Sequence, residues 1–182
     1  MVIRKAVQAD LDGISALFSD IHTAEETGLV TIGWCRDVYP TERTAQAALD
    51  RGDLFVAEEN DTLVGSAILN QQQVDVYYGA DWSCDVPDGQ VMVLHTLVIS
   101  PRVLRKGYGQ KFVAFYEQYA AEHGCPYLRM DTNERNRAAR ALYRKLGYRE
   151  VDVKPCVFNG IEGVRLVLLE KCLPEPQRHS ER

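Results

Sequence analysis

Residues 104–111 read Leu-Arg-Lys-Gly-Tyr-Gly-Gln-Lys. Gly107 and Gly109, with the cations Arg105, Lys106 and Lys111, fall where an apolar run gives way to an amphipathic one. The first N–H groups of a helix have no acceptor inside it, and the helix dipole draws negative charge to them. Glycine lets such a backbone approach a ligand closely. The chemistry this predicts is anion binding by Arg105, Lys106, Gly107, Tyr108, Gly109, Gln110 and Lys111. A P-loop would need G-x-x-x-x-G-K-S/T, which is absent. A dinucleotide fingerprint would need a third glycine where Phe112 stands. A pyrophosphate cradle for another ligand remains, beside the plainer reading of a helix start whose glycines serve the turn alone.

Further along, Asn136 and Tyr143 lie seven residues apart, two helical turns, so they share a helix face. His95 stands in the run Val91-Met92-Val93-Leu94-His95-Thr96-Leu97-Val98-Ile99. An imidazole there could titrate in a useful range, or could be a hydrogen-bonded core histidine. The five cysteines, Cys35, Cys84, Cys125, Cys156 and Cys172, are odd in number and widely spaced, with no C-x-x-C. Neither a disulfide framework nor a metal site follows from that pattern. Free, buried or half-buried thiols in a reducing compartment are expected, with a catalytic cysteine as the alternative.

These groups need elements to position them. Val2 to Ala6 reads as a strand, and Asp10 is placed to cap a helix carrying Ile14, Leu17, Phe18 and Ile21. A second helix is predicted from Thr41 to Gly52, then strands over Asp53–Glu58 and Leu63–Leu69 joined by a tight turn. Residues 73–89 have no clear period and read as strand end and loop. The apolar run over Gln90–Ser100 predicts a strand buried on both faces, ended by Pro101. A helix over Gly107–His123, a strand over Tyr127–Thr132, a helix over Arg135–Leu146 and strands over Tyr148–Val153 and Val164–Glu170 complete the order. The expected fold is α/β: one domain over 1–172, a central mixed sheet of about seven strands with helices on both faces, and a polar tail over 173–182.

The glycine turn resembles the acyl-CoA loop of the GCN5-related N-acetyltransferase (GNAT) superfamily, Gln/Arg-x-x-Gly-x-Gly/Ala, with Leu104 at the leading position. Asn136-x-x-Ala139-x-x-Leu142-Tyr143-x-x-Leu146-Gly147-Tyr148 is similar to that family's helix one strand downstream. The opening strand and Pro101 match as well, so the resemblance spans roughly residues 2–170. It implies an acetyl-CoA-dependent N-acetyltransferase that passes acetyl directly to an amine in a ternary complex. It implies oxyanion donors among the backbone N–H groups of Leu97, Val98 and Ile99, which the family sites where its central strand splays. It makes Tyr143 the proton donor and sulfur contact, and Asn136 a contact for the pantetheine arm. His95 becomes the candidate base, ahead of Asp131 or a positioned water. A non-catalytic acyl-CoA-binding or sensor module of the same fold is the alternative.

The resemblance implies an acceptor side bordered by His22, Glu25, Glu26, Trp34, Arg36, Asp37 and Tyr39, with Asp81 and Trp82 closing it. Acids beside aromatics would suit a cationic amine. The chain has 182 residues and a net charge of -5. The sequence pI is near 5.4, which argues against a nucleic-acid footprint. No apolar run approaches a membrane span and no secretory h-region opens the chain, so a cytoplasmic protein is expected. The partners expected are acetyl-CoA and an amine, with no metal, nucleic acid or membrane; a homodimer is compatible with the sequence.

Overall fold

The computed structural model describes residues 1–174. Seven strands form one mixed sheet in the order β1-β2-β3-β4-β5-β7-β6, and only β4 and β5 pair in parallel. The strands are β1 (Val2–Lys5), β2 (Leu54–Glu59), β3 (Thr62–Asn70), β4 (Val91–Ile99), β5 (Tyr127–Asn133), β6 (Arg149–Phe158) and β7 (Ile161–Cys172). Four helices join them: α1 (Leu11–Glu26), α2 (Glu42–Arg51), α3 (Tyr108–Glu122) and α4 (Arg137–Lys145). The expected element order and strand number are met.

Alternation along β2 sorts the layers. Phe55 and Ala57 face the core under α3 and α4, while Leu54 and Val56 face α1 and α2. Strand β5 repeats the pattern, with Leu128 and Met130 on the α3/α4 face. β4 is buried from Val91 to Leu94 on both faces, as its near-continuous apolar run requires. The β2–β3 hairpin turns through Asn60 (φ 51°) and Asp61 (φ 57°). Two successive left-handed residues are what a tight hairpin needs, and Asn and Asp tolerate them.

Three findings differ from the sequence reading. Asp10 does not cap α1: its carboxylate accepts from the Val7 N–H at 2.8 Å and grips the Arg4 guanidinium at 2.7 and 2.9 Å. The Arg4 bonds hold that carboxyl below the usual range. Residues 71–90 are more than a loop. Two short 3-10 turns form in it, Tyr77 at the end of the first is 1 % exposed, and the segment covers the β4–β5–β7 half of the sheet that α1 and α2 leave open. At the C-terminus the Leu173 N–H donates to Pro126 O at 2.8 Å and its side chain packs on the core, so the domain holds this residue too. The rest of the expected tail, 175–182, lies outside the described residues.

The cysteines are free, and Cys125 is fully buried. The Gln71 amide donates to its sulfur at 3.3 Å, and burial pushes the thiol up. A thiolate is the reactive form, so Cys125 is expected to be inert. An aromatic disulfide reagent on native protein should modify Cys35 and Cys172, both exposed, and spare Cys125 until the chain unfolds. Rapid labelling of Cys125 in native protein would contradict this.

Candidate active site

The sheet opens at its centre. β4 and β5 pair from Val91↔Tyr127 to Leu94↔Met130. Beyond Leu94, β4 continues beside β3 alone, and beyond Met130, β5 continues beside β7 alone. The Tyr116 hydroxyl of α3 lies 2.6 Å from Met92 O and 3.1 Å from Arg129 O, bridging the two strands just below the fork. At the fork β4 also bulges: Ala67 of β3 faces both Thr96 and Leu97, between the pairs Ile68↔His95 and Ser66↔Val98. Thr96 takes φ 51°, a conformation that β-branched residues rarely adopt. Strain of this kind costs on the order of 1–3 kcal/mol and gathers at functional sites.

A cavity of about 1040 Å³ passes through this fork. Small-molecule sites run to roughly 300–1,000 Å³. On one side it reaches α4, where Asn136, Ala139 and Tyr143 line it. Its middle is walled by Leu94, His95, Thr96 and Leu97 of β4 and by Asp131, Thr132 and Asn133 of β5. On the other side it meets the α1–α2 segment through Trp34, Asp37 and Tyr39, and the β6–β7 turn through Phe158 and Asn159. The Tyr39 hydroxyl hydrogen-bonds the Thr96 hydroxyl, which ties this wall to the bulge. Tyr39 meets Trp34 and Phe158 edge-on at centroid distances of 5.9 and 5.3 Å.

Tyr143 is 6 % exposed, and its ring meets Tyr148 edge-on at 6.0 Å. Among the described residues no protein group hydrogen-bonds its hydroxyl. Burial, with Asp131 nearby, pushes the phenol well above its ordinary pKa, so it stays protonated at every working pH. Asn136 caps α4, its Oδ1 accepting the Ala139 N–H at 3.1 Å, and it borders the cavity. His95 Nε2 lies 3.0 Å from Asn70 Oδ1. The Asn70 amide donates to Asp53 at 2.7 Å, which fixes its oxygen toward His95, so His95 Nε2 carries a proton. Burial lowers this imidazole to about 4, so it is neutral near pH 7. Asp131 accepts a hydrogen bond from the Tyr77 hydroxyl at 2.8 Å, and burial raises it to about 6.

The glycine turn lies apart from the cavity lining. Arg105 (φ 64°) and Gly107 (φ 79°) turn the chain into α3, whose N-terminus no side chain caps. The N–H groups of Tyr108, Gly109 and Gln110 therefore lack helical acceptors. Arg105, Lys106 and Lys111 are exposed and, among the described residues, form no ion pair. Tyr108 is buried, with Lys111 Nζ over its ring at 5.5 Å. Gly109 has a packing reason of its own: a Cβ there would stand 3.2 Å from Leu142 of α4. These features fit an anionic, phosphate-bearing ligand.

Of the residues sought for the acceptor side, Trp34, Asp37 and Tyr39 line the cavity and the others do not. His22 is buried with Nε2 3.0 Å from Pro40 O, the Glu25 carboxylate accepts from the N–H groups of Ile32 and Gly33 at 2.5 and 3.1 Å, and Glu26 pairs with Arg36. These bonds shape the segment that carries Trp34 and Tyr39. Trp82 packs on Tyr77 and under Arg129, its Nε1 donating to Tyr77 O at 2.7 Å, and Asp81 is exposed. The backbone positions Val98 and Ile99 lie past the cavity on β4, and only Leu97 of that trio reaches it. Tyr77 was not singled out from the sequence, because residues 73–89 carry no period to show which of them turn inward.

Comparisons with known proteins agree with this architecture. The model of the Acetyltransferase (GNAT) family matches residues 16–148. An uncharacterised N-acetyltransferase of Bacillus subtilis, YhfO, is 26 % identical over 152 residues, 82 % of this chain and 91 % of that protein. The crystal structure of a GNAT-family acetyltransferase from Streptococcus agalactiae superposes with a TM-score of 0.78 at 25 % identity, covering 96 % of each chain. The Salmonella typhimurium protein yncA, solved with its cofactor acetyl-CoA, gives a TM-score of 0.68 at 20 % identity over 97 % of this chain and 95 % of that one. With its family model matched over most of the chain and its sheet, fork and glycine turn in that order, this protein belongs to the GNAT acetyltransferase family.

Proposed function

We propose that this protein is an acetyl-CoA-dependent N-acetyltransferase that passes acetyl directly to an amine within a ternary complex. The observation that carries the reading is the cavity through the β4–β5 fork. Tyr143 lines it on one side and Trp34 and Tyr39 line it on the other. Two substrates can meet there from opposite sides, which suits direct transfer. The acetyl-CoA complex of yncA supports the choice of donor.

In this reading the backbone of Tyr108, Gly109 and Gln110 grips the pyrophosphate, with Arg105, Lys106 and Lys111 around it. Leu104 offers no charge, and the backbone donors do not depend on it. The backbone at Leu97, beside the bulge, faces the acetyl carbonyl and stabilises its oxyanion, with Val98 and Ile99 setting the strand direction. Asn136 borders the pantetheine arm. The protonated Tyr143 hydroxyl donates to the sulfur as the thioester breaks. The amine approaches from the Trp34–Tyr39 side, where His95 and Asp131 stand.

Initial-rate measurements test this. Varying acetyl-CoA and an amine together should give intersecting, sequential patterns, with one thiol released per amide formed. Parallel, ping-pong lines would contradict direct transfer. Tight acetyl-CoA binding without amine-dependent thiol release would instead favour the acyl-CoA-binding module.

A further inference from the structure

The geometry points to Asp131 as the group that receives the acceptor's ammonium and takes its proton, with Tyr77 positioning it, and to a primary amine on an aromatic body as the acceptor class. This rests on the N-acetyltransferase reading and names the substrate of that same cavity.

Asp131 is the first β5 residue past the last one paired with β4, so it stands at the fork and lines the cavity. Its carboxylate accepts one hydrogen bond, from the buried Tyr77 hydroxyl at 2.8 Å. Among the described residues it has no ion pair. An ionised carboxylate has room for about four hydrogen bonds, and Asp131, half-buried on the cavity wall, has one of them filled and no cation beside it among the described residues. The protein leaves that charge to be met by whatever enters the cavity.

The groups that face it do not supply the cation. Tyr77 comes from the 71–90 segment, Tyr39 from the α1–α2 segment, Tyr143 from α4 and Cys156 from β6, and each feels the Asp131 charge. From β4, His95 is neutral and bonded to Asn70. Of the two cavity arginines, Arg51 is held by Asp53 at 2.9 and 3.2 Å, and Arg43 is exposed on α2. The cavity wall beyond Asp131 is the ring cluster of Trp34, Tyr39 and Phe158. A carboxylate at the fork beside three rings suits an ammonium carried on an aromatic body.

The step balances without a further reactant. The ammonium passes one proton to the Asp131 carboxylate, which frees the nitrogen lone pair. The N–C bond forms at the thioester carbonyl and the C–S bond breaks. The nitrogen's second proton replaces the one Tyr143 gives to sulfur, and Asp131 releases its proton to solvent through the open cavity. A carboxyl raised by burial to about 6 is a closer match to neutral pH than an imidazole lowered to about 4.

The test uses the full chain, saturating acetyl-CoA and 2-phenylethylamine, with thiol release followed from pH 5 to 9. The wild type should acetylate the amine, with kcat/KM falling as pH drops through about 6 because Asp131 then becomes neutral. Asp131→Asn should lower kcat/KM for the amine about a hundredfold or more while leaving acetyl-CoA affinity within about twofold, which shows a folded protein. Tyr77→Phe removes a hydrogen bond that favours the charged carboxylate, so it should move the acid limb to higher pH. His95→Gln should leave that limb in place. Asp131→Asn within about tenfold of wild type, an acid limb that follows His95, or a wild type that binds acetyl-CoA yet leaves 2-phenylethylamine unmodified would overturn the assignment. Absence of acetyl-CoA binding would fall first on the N-acetyltransferase reading, and on this inference with it.

Discussion

Tyr143→Phe should lower kcat about a hundredfold or more while KM for acetyl-CoA and thermal stability stay near wild type. General acid groups contribute about 10²–10⁴-fold when they act in the transition state. The Tyr143 ring is buried against Tyr148, so phenylalanine keeps the packing. The lost hydroxyl opens on the cavity and has no protein partner among the described residues, so its removal strands no buried donor or acceptor. A change in kcat alone is the signature of an interaction made only in the transition state. An unchanged kcat would remove Tyr143 from the chemistry and leave it as a helix aromatic. A large loss of stability would show that the hydroxyl had a structural role.

Phe112→Ala should cost about 3–5 kcal/mol, the range for truncating a buried phenylalanine. Phe112 is fully buried in the cluster that joins α3 to β4, β5 and β7. For a chain of this size such a loss lowers Tm on the order of 10 °C. The effect reaches function because Phe112 anchors the first turns of α3, whose free N–H groups begin at Tyr108. A ligand that binds only the folded state restores stability in proportion to RT ln(1 + [L]/Kd). Excess acetyl-CoA should therefore raise the variant's Tm, and calorimetric scans with and without it check both halves. A Tm within about 2 °C of wild type would contradict the anchoring role.

The same residue shows why much of the fold was legible in the sequence. Phe112 breaks the dinucleotide fingerprint, and the helical stripe Phe112, Tyr116, Tyr119, Ala120 and His123 predicts an inward face; Phe112, Tyr116 and Ala120 are buried there, Tyr119 is half-buried and His123 is exposed. The continuous apolar run of β4 and the helical spacing of α3 likewise marked those elements. The fork was legible only through the family resemblance, which put the splay at Leu97–Ile99, a little past where parallel pairing stops. It depends on where parallel pairing stops, between Leu94 and His95, and on a bulge at Thr96 and Leu97, and neither leaves a pattern in residue types. The 73–89 stretch failed for a related reason. Its order comes from tertiary bonds, such as those of Tyr77 to Asp131, Ser83 N–H to Glu170 and the Arg129 guanidinium to Cys84 O, not from local propensity. Acidic and aromatic residues in the α1–α2 segment could be named as a group, but only packing separates Trp34 and Tyr39, which wall the cavity, from Glu25 and Glu26, which hold the loop.

The most direct test of the central claim is a calorimetric titration of the full chain with acetyl-CoA, with NAD run in parallel. The glycine turn with its exposed Arg105, Lys106 and Lys111, together with the fork beside Tyr143, predicts saturable binding of one acetyl-CoA per chain and no comparable heat from NAD. Equal binding of both ligands would mean that the turn grips a pyrophosphate without the fork selecting the acyl arm. No binding of acetyl-CoA would contradict the account outright, leaving the glycines of residues 107–109 as turn and packing residues.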